Sequence, residues 1–126
     1  MIVVDSSAWI ELLMRGSLTP QIRTAFPSRE THVVPTIVQL EMTKWLRREI
    51  SLKASRLVLA YSQKCVVVPL SSLIAVQAAY LSAQHKLATA DAIIYATAVA
   101  MNADLLTCDA HFEGLPGVTF ISKALA

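Results

Sequence analysis

The sequence predicts an α/β fold in three layers, a central and mostly parallel sheet with helices on both faces. Three observations carry that expectation. Short, continuous apolar runs, the pattern of parallel strands covered on both sides, recur between segments of helical length. Hydroxyl residues, prolines and glycines punctuate the joins between them. Acidic residues also stand at the carboxyl ends of two of the apolar runs, where open parallel sheets place their sites.

Taken in order, Met1-Asp5 is the first such run and has the signature of a central strand. Ser6 or Ser7 is placed to cap a following helix that reaches about Met14, with Gly16 as its stop. A second short helix is expected from Pro20 to Phe26. Thr31–Val34 is strand-like and ends at Pro35, after which Thr36 caps a helix to about Arg48. Leu52–Gln63 is a further helix, and Val66–Val68 a strand stopped by Pro69. Ser71 or Ser72 caps a long helix ending near His85, and Thr89 caps the next, through Met101, with Asn102 as its C-terminal stop. Leu105–Thr107 and Val118–Ile121 supply the last two strands, with His111-Phe112 in a short turn or helix between them. No repeat, linker or low-complexity tract divides the chain, so residues 1–126 are expected to form one domain.

With 126 residues, 55% of them hydrophobic and 16% charged, the chain is large enough to bury a core without disulfides or a structural metal, and disorder is excluded. A net charge of +2 neither requires nor excludes a nucleic-acid partner. Cys65 and Cys108 lie in or beside expected buried strands and fit small buried hydrophobes in a reducing cytoplasm. No Cys/His spacing suggests zinc. The N-terminus has no basic segment before its apolar stretch, which argues against a signal peptide. The longest uncharged stretch, Cys65 to Gln84, contains Pro69 and several polar residues and does not read as a membrane span.

Four carboxylates are out of place in such a core. Asp5 closes the run Ile2-Val3-Val4, Asp109 follows Leu105-Leu106-Thr107-Cys108, Asp91 opens an almost wholly apolar helix, and Glu41 interrupts a helical apolar arc between Ile37 and Trp45. An isolated buried carboxylate costs several kcal/mol, so each must be paired, protonated or bound to a cation. Singly, each has a bland explanation: Asp5 a helix cap, Asp91 a first-turn acid favoured by the helix dipole, Asp109 the cap of a turn, Glu41 a snorkelling or paired side chain. One shared cause accounts for all four together. An all-carboxylate site suits Mg²⁺, with Mn²⁺ as a substitute, better than zinc or copper. Such ions activate water and stabilise the leaving oxygen of a phosphodiester. Ser7 and Thr107 are candidates to orient neighbouring carboxylates through hydrogen bonds, or else are ordinary strand and cap hydroxyls.

The segments VVDSSAWIEL, PTIVQLEM and TADAIIYATAVAMNADLLTCDAHFEGLPGV, together with the short length, resemble the PIN-domain family, and within it the VapC-type toxins of bacterial toxin–antitoxin pairs. The likeness covers essentially the whole chain and is weakest over residues 50–70. It implies a three-layer α/β/α PIN-like domain and a Mg²⁺-dependent endoribonuclease that is inhibited by a cognate antitoxin and is usually a homodimer. By motif position it also implies that Asp5, Glu41, Asp91 and Asp109 form the catalytic quartet. Asp5, Asp91 and Asp109 would hold the metal, and Glu41 would complete its shell or help deprotonate the attacking water. The sequence departs from relatives at His85-Lys86-Leu87-Ala88, where they often carry Gly or Pro. An antitoxin element is expected in a hydrophobic groove over Trp9, Leu13 and Trp45, although Trp9 also fits the core.

Lys44, Arg47, Arg48, Lys53, Arg56 and Lys64 face only Glu49 in sequence. They form either a phosphate-binding surface, with Lys44, Arg47 and Arg48 nearest Glu41, or the solvated outer face of two helices. His85 and His111 fit surface or turn positions, although His111, two residues after Asp109, is close enough to reach the rim of an acidic site. Two other function classes compete with the nuclease. A non-catalytic module binding RNA or an antitoxin on the same fold would be expected to have lost one of the four acids, and none is lost. Phosphoryl transfer on Asp5 would call for a second acid close behind it and a lysine at a late strand end, where this chain has Ser6-Ser7 and no such lysine.

Overall fold

The computed structural model describes residues 1–122. Five strands, β1 (Ile2–Val4), β2 (His32–Pro35), β3 (Val66–Val68), β4 (Asp104–Thr107) and β5 (Val118–Phe120), form one sheet in the order β3-β2-β1-β4-β5. Every pairing in it is parallel. Six helices flank it, α1 (Ser6–Leu13), α2 (Thr19–Ala25), α3 (Thr36–Glu49), α4 (Leu52–Ser62), α5 (Ser72–His85) and α6 (Thr89–Ala100), with single 3₁₀ turns at Arg29–Thr31 and Ala110–Phe112. The result is the expected three-layer α/β/α arrangement.

The strand order follows from the chain's path. It moves outward from β1 to β2 to β3, then returns across the sheet to place β4 on the other side of β1. The β1–β4 boundary is therefore a topological switch point, with a crevice at the carboxyl ends of its strands. Val3, Val33 and Leu105, on three adjacent strands, are wholly buried, and Phe112 from the second 3₁₀ turn completes this core. The continuous apolar runs are explained by this two-sided cover. Helix α5 packs along α6, and α3 along α4. Among the described residues no helix is long and apolar enough to cross a membrane.

Element positions agree with the sequence to within a residue or two, but three expected caps are displaced. Asp5, extended at φ −68° and ψ 154°, holds the N-cap position of α1 without a side-chain capping bond, and Ser6 and Ser7 are the first helical residues. Pro35 and Ala88 take the corresponding positions of α3 and α6. The Thr36 hydroxyl instead accepts the backbone N–H of Leu70, 3.2 Å away. Ser71 does cap α5, accepting from Ile74 N. At the C-termini, Asn102 takes the left-handed conformation (φ 50°) as the sequence suggests, whereas α1 turns at Arg15 (φ 51°), one residue before Gly16. Lys86, with φ 56°, makes the same turn after α5.

Trp9 belongs to the core, at 6% exposure. It stacks on His32 and meets Phe26 and Tyr61 edge-on. His32 has no exposed surface; its Nδ1 lies 3.1 Å from the Tyr61 hydroxyl, and its Nε2 has no hydrogen-bond partner among the described residues. Burial lowers the His32 pKa to about 4, so the ring is neutral in the folded protein at ordinary pH.

Candidate active site

The switch-point crevice collects the four acids. Asp5 leaves β1 and remains tied to the sheet through its N–H, which donates to the Leu106 carbonyl at 2.9 Å. Asp109 follows β4 by two residues. Asp91 lies in the first turn of α6, and Glu41 near the middle of α3. Asp5, Glu41 and Asp91 are each raised by burial and by neighbouring acids. Burial raises the Asp5 pKa, and Asp109 adds to the rise. Glu41 is raised by burial and by Asp5. Asp91 is pushed up to about 6, first by burial and then by Asp109 and Asp5, with a smaller contribution from Glu41.

Hydroxyls hold this cluster in place. Oδ2 of Asp5, a residue 4% exposed, accepts from Ser7 Oγ at 2.7 Å and from Thr107 Oγ1 at 2.8 Å. Each hydroxyl has one proton and donates it to Asp5, so the 3.2 Å approach of Ser7 Oγ to Thr107 Oγ1 is left without one. As acceptors, the two hydroxyls receive the backbone N–H groups of Cys108 and Asp109, each at 3.0 Å. The strand ends of β1 and β4 are thereby stitched together around one carboxylate. Both hydroxyls thus make the hydrogen bond to a neighbouring carboxylate for which the sequence made them candidates.

Ser6 was not singled out by its sequence position except as a cap. Its Oγ donates to Glu41 Oε1 at 2.7 Å and so ties α1 to α3 across 35 positions of chain. The available signal was that a hydroxyl directly after a strand-end acid must face the same crevice. His111 reaches the site as well. Its Nδ1 and its backbone N–H lie 2.8 and 2.9 Å from Asp109 Oδ1, so Asp109 both caps its 3₁₀ turn and faces the cluster. A ring nitrogen of His111 and a carboxylate oxygen from each of Asp91 and Asp109 lie within 4.8 Å of one another. His85 is elsewhere, half-buried and edge-on to Tyr95.

These donors fit a divalent cation. Among the described residues the ion pairs are Arg48–Glu49 and His111–Asp109, so no lysine or arginine neutralises the four acids. Mutually repelling carboxylates, two of them (Asp5 and Glu41) held by hydroxyls, form an oxygen-rich donor set suited to Mg²⁺ or Mn²⁺, with His111 as a nitrogen donor at the edge.

Three of the expected basic residues lie together on α3: Lys44 and Arg48 border a depression that begins at Ser6 and Glu41, and with Arg47 they also line a second depression on the neighbouring face of the helix. Lys53, Arg56 and Lys64 are exposed and line neither. Trp9 and Trp45, expected with Leu13 in one groove, border different depressions among the described residues. Trp9 borders an apolar depression with Phe26, Leu57 and Tyr61, Trp45 lines the one beside Glu41, and Leu13 lines neither. The two helices turn their tryptophans toward different grooves.

A PIN domain model matches residues 2–118, and the chain belongs to that family. Its fold also matches solved structures. A toxin–antitoxin complex from Klebsiella pneumoniae is similar with a TM-score of 0.80 and 25% identity, over 94% of this chain and 96% of that one. VapC20 of Mycobacterium tuberculosis, described as a sarcin-ricin loop cleaving toxin, is similar with a TM-score of 0.77 and 19% identity, over 94% and 97%. VapBC2 of Rickettsia felis, bound to a DNA fragment from its promoter, gives 0.72 and 14% over 97% and 98%. A search of curated protein sequences gives no match.

Proposed function

We propose that this PIN domain is a Mg²⁺-dependent endoribonuclease, a single-domain VapC-type toxin acting in the cytoplasm and held in check by a cognate antitoxin. The observation that carries the reading is the set of four carboxylates at the switch point with no lysine or arginine to neutralise them among the described residues. Asp5, Asp91 and Asp109 hold the metal, and Asp5 is oriented for this by Ser7 and Thr107. When bound, the metal lowers the pKa of water and offsets charge on the phosphodiester. Glu41, oriented by Ser6 and raised by its burial, accepts the proton of the attacking water. Lys44, Arg47 and Arg48 attract the RNA backbone.

The antitoxin assignment is supported by the toxin–antitoxin complexes that this fold resembles. The apolar depression bordered by Trp9, Phe26, Leu57 and Tyr61 suits an element of that partner. A basic side chain from it entering the carboxylate cluster would exclude the metal and explain inhibition. A homodimer of the chain completes the proposed assembly, and the mass of the purified protein in solution tests it.

The deciding experiment incubates the pure protein with an RNA pool and Mg²⁺, repeats it with chelator, and maps the cut ends. Discrete cuts that vanish with chelator are expected; intact RNA in both arms overturns the reading. Copurification with the product of the adjacent gene tests the partner, and a complex that remains fully nucleolytic contradicts inhibition.

A further inference from the structure

The depression between α1 and α3 has a chemistry of its own. It starts at Ser6 and Glu41 and has half-buried Ile10, Ile37 and Trp45 as its apolar floor. The exposed Lys44 and Arg48 stand at its edge. Together with Leu40, 61% exposed, they are spaced four residues apart and form one ridge along α3, about 6 Å per step. Among the described residues, Glu41 is the only acid that lines the depression.

An occupant must therefore offer a flat or apolar part to the floor and negative charge to the ridge. It must also tolerate carboxylates at one end, where a divalent cation fits. A basic peptide would be repelled along the ridge, and an acidic peptide carries no flat ring with each of its charges to offer to the floor. A nucleotide meets all three conditions, because every base has a face that stacks on an aromatic ring and every link carries a phosphate. Resting on the endoribonuclease reading above, we propose that this depression is a nucleotide subsite for single-stranded RNA. The base flanking the cleaved bond stacks on the Trp45 indole, and its phosphate is met by Lys44 and Arg48.

The test uses fluorescence, because Trp45 and the buried Trp9 are the only two tryptophans. Short oligo(U) and oligo(A) are titrated into the whole protein in chelator at low salt, with fluorescence anisotropy of labelled RNA as an independent measure of binding. Saturating RNA is expected to quench the wild type. Trp45→Phe should lose the quench yet bind within about threefold, since Phe still stacks, and Trp45→Leu should bind about tenfold more weakly. Lys44→Gln with Arg48→Gln should flatten the salt dependence, log K against log salt, by about 1.4, or ~0.7 per phosphate contact.

RNA binding without any quench overturns the subsite, as does equal binding by the Phe and Leu variants with the folded circular dichroism spectrum retained. So does quenching by a basic peptide but not by RNA. The binding measurement is independent of catalysis. A protein that quenches but never cuts RNA retains the subsite and loses the endoribonuclease reading; one that cuts without quenching does the reverse.

Discussion

At the scale of single residues, the chemistry concentrates on Asp5 and Asp91. Asp5→Asn or Asp91→Asn is expected to reduce Mg²⁺-dependent RNA cleavage by at least ~100-fold, a size consistent with the loss of a metal ligand. Cleavage at the wild-type rate by either variant would remove these residues from the site. Asp91 also makes a pH prediction. Its folded-state pKa is raised to about 6 from 3.8. The fold therefore prefers the protonated acid, and the stability this group contributes is fully present below about 4 and lost as pH rises through about 6. In chelator near neutral pH, Asp91→Asn should thus melt at or above the wild type, and the advantage should fade as pH falls toward about 4. His32 works in the opposite direction over the same window. Its pKa is lowered from 6.5 to about 4, so the stability it contributes is present above 6.5 and lost as pH falls toward 4. Only the difference between the Asp91 variant and the wild type isolates the acid. If Asp91 serves merely as a first-turn helix acid, its removal should destabilise the metal-free protein instead.

At the scale of elements, two joins can be tested by thermal or denaturant unfolding. The Tyr61 hydroxyl links α4 to the start of β2 through His32 Nδ1, and His32 Nε2 already lacks a partner among the described residues. Tyr61→Phe would leave the buried ring with no partner at either nitrogen, and a loss of about 1–3 kcal/mol is expected. An unchanged midpoint would mean that water replaces the hydroxyl. The second join is the C-terminus of α5. Lys86 makes the left-handed turn there with a side chain that disfavours it. Lys86→Gly should stabilise by about 0.5–1 kcal/mol, since relief of the backbone strain exceeds the entropy that glycine loses on folding. A destabilised variant would show that the lysine side chain contributes more than its conformation costs.

At the scale of the whole molecule, the carboxylate cluster joins α3, α6 and the ends of β1 and β4, so a cation bound there should couple to global unfolding. Near ~100 times its dissociation constant, the ion would add about 2.7 kcal/mol to the folded state. For a chain of this size that amounts to a rise of several degrees in Tm. The rise should be largely absent from Asp5→Asn, and in Mg²⁺ the order of Asp91→Asn and wild type should narrow or reverse. Melting points of all three proteins that ignore Mg²⁺ would sink the shared site.

What the sequence alone determined were the properties that repeat locally. Apolar runs and helical periods placed the strands and helices to within a residue or two, because burial on two faces, or on one stripe, writes itself into adjacent residues. Strand-end acids were legible for the same reason, as charges where the local pattern demanded apolar residues. Tertiary structure decided the rest. The order β3-β2-β1-β4-β5 puts the ends of β1 and β4 side by side, so that Thr107 can donate to Asp5 across 102 positions of chain. Ser6 reads as a helix cap in isolation, but its hydroxyl finds Glu41 when α1 and α3 pack, which a local motif cannot encode. Trp9 and Trp45 were both candidates for one groove, although Trp9 also fitted the core; the rotation of each helix about its axis sends Trp9 into an aromatic core and Trp45 to a groove beside the carboxylates. Composition chose the chemistry available to this chain, and the packing of distant elements chose which groups meet.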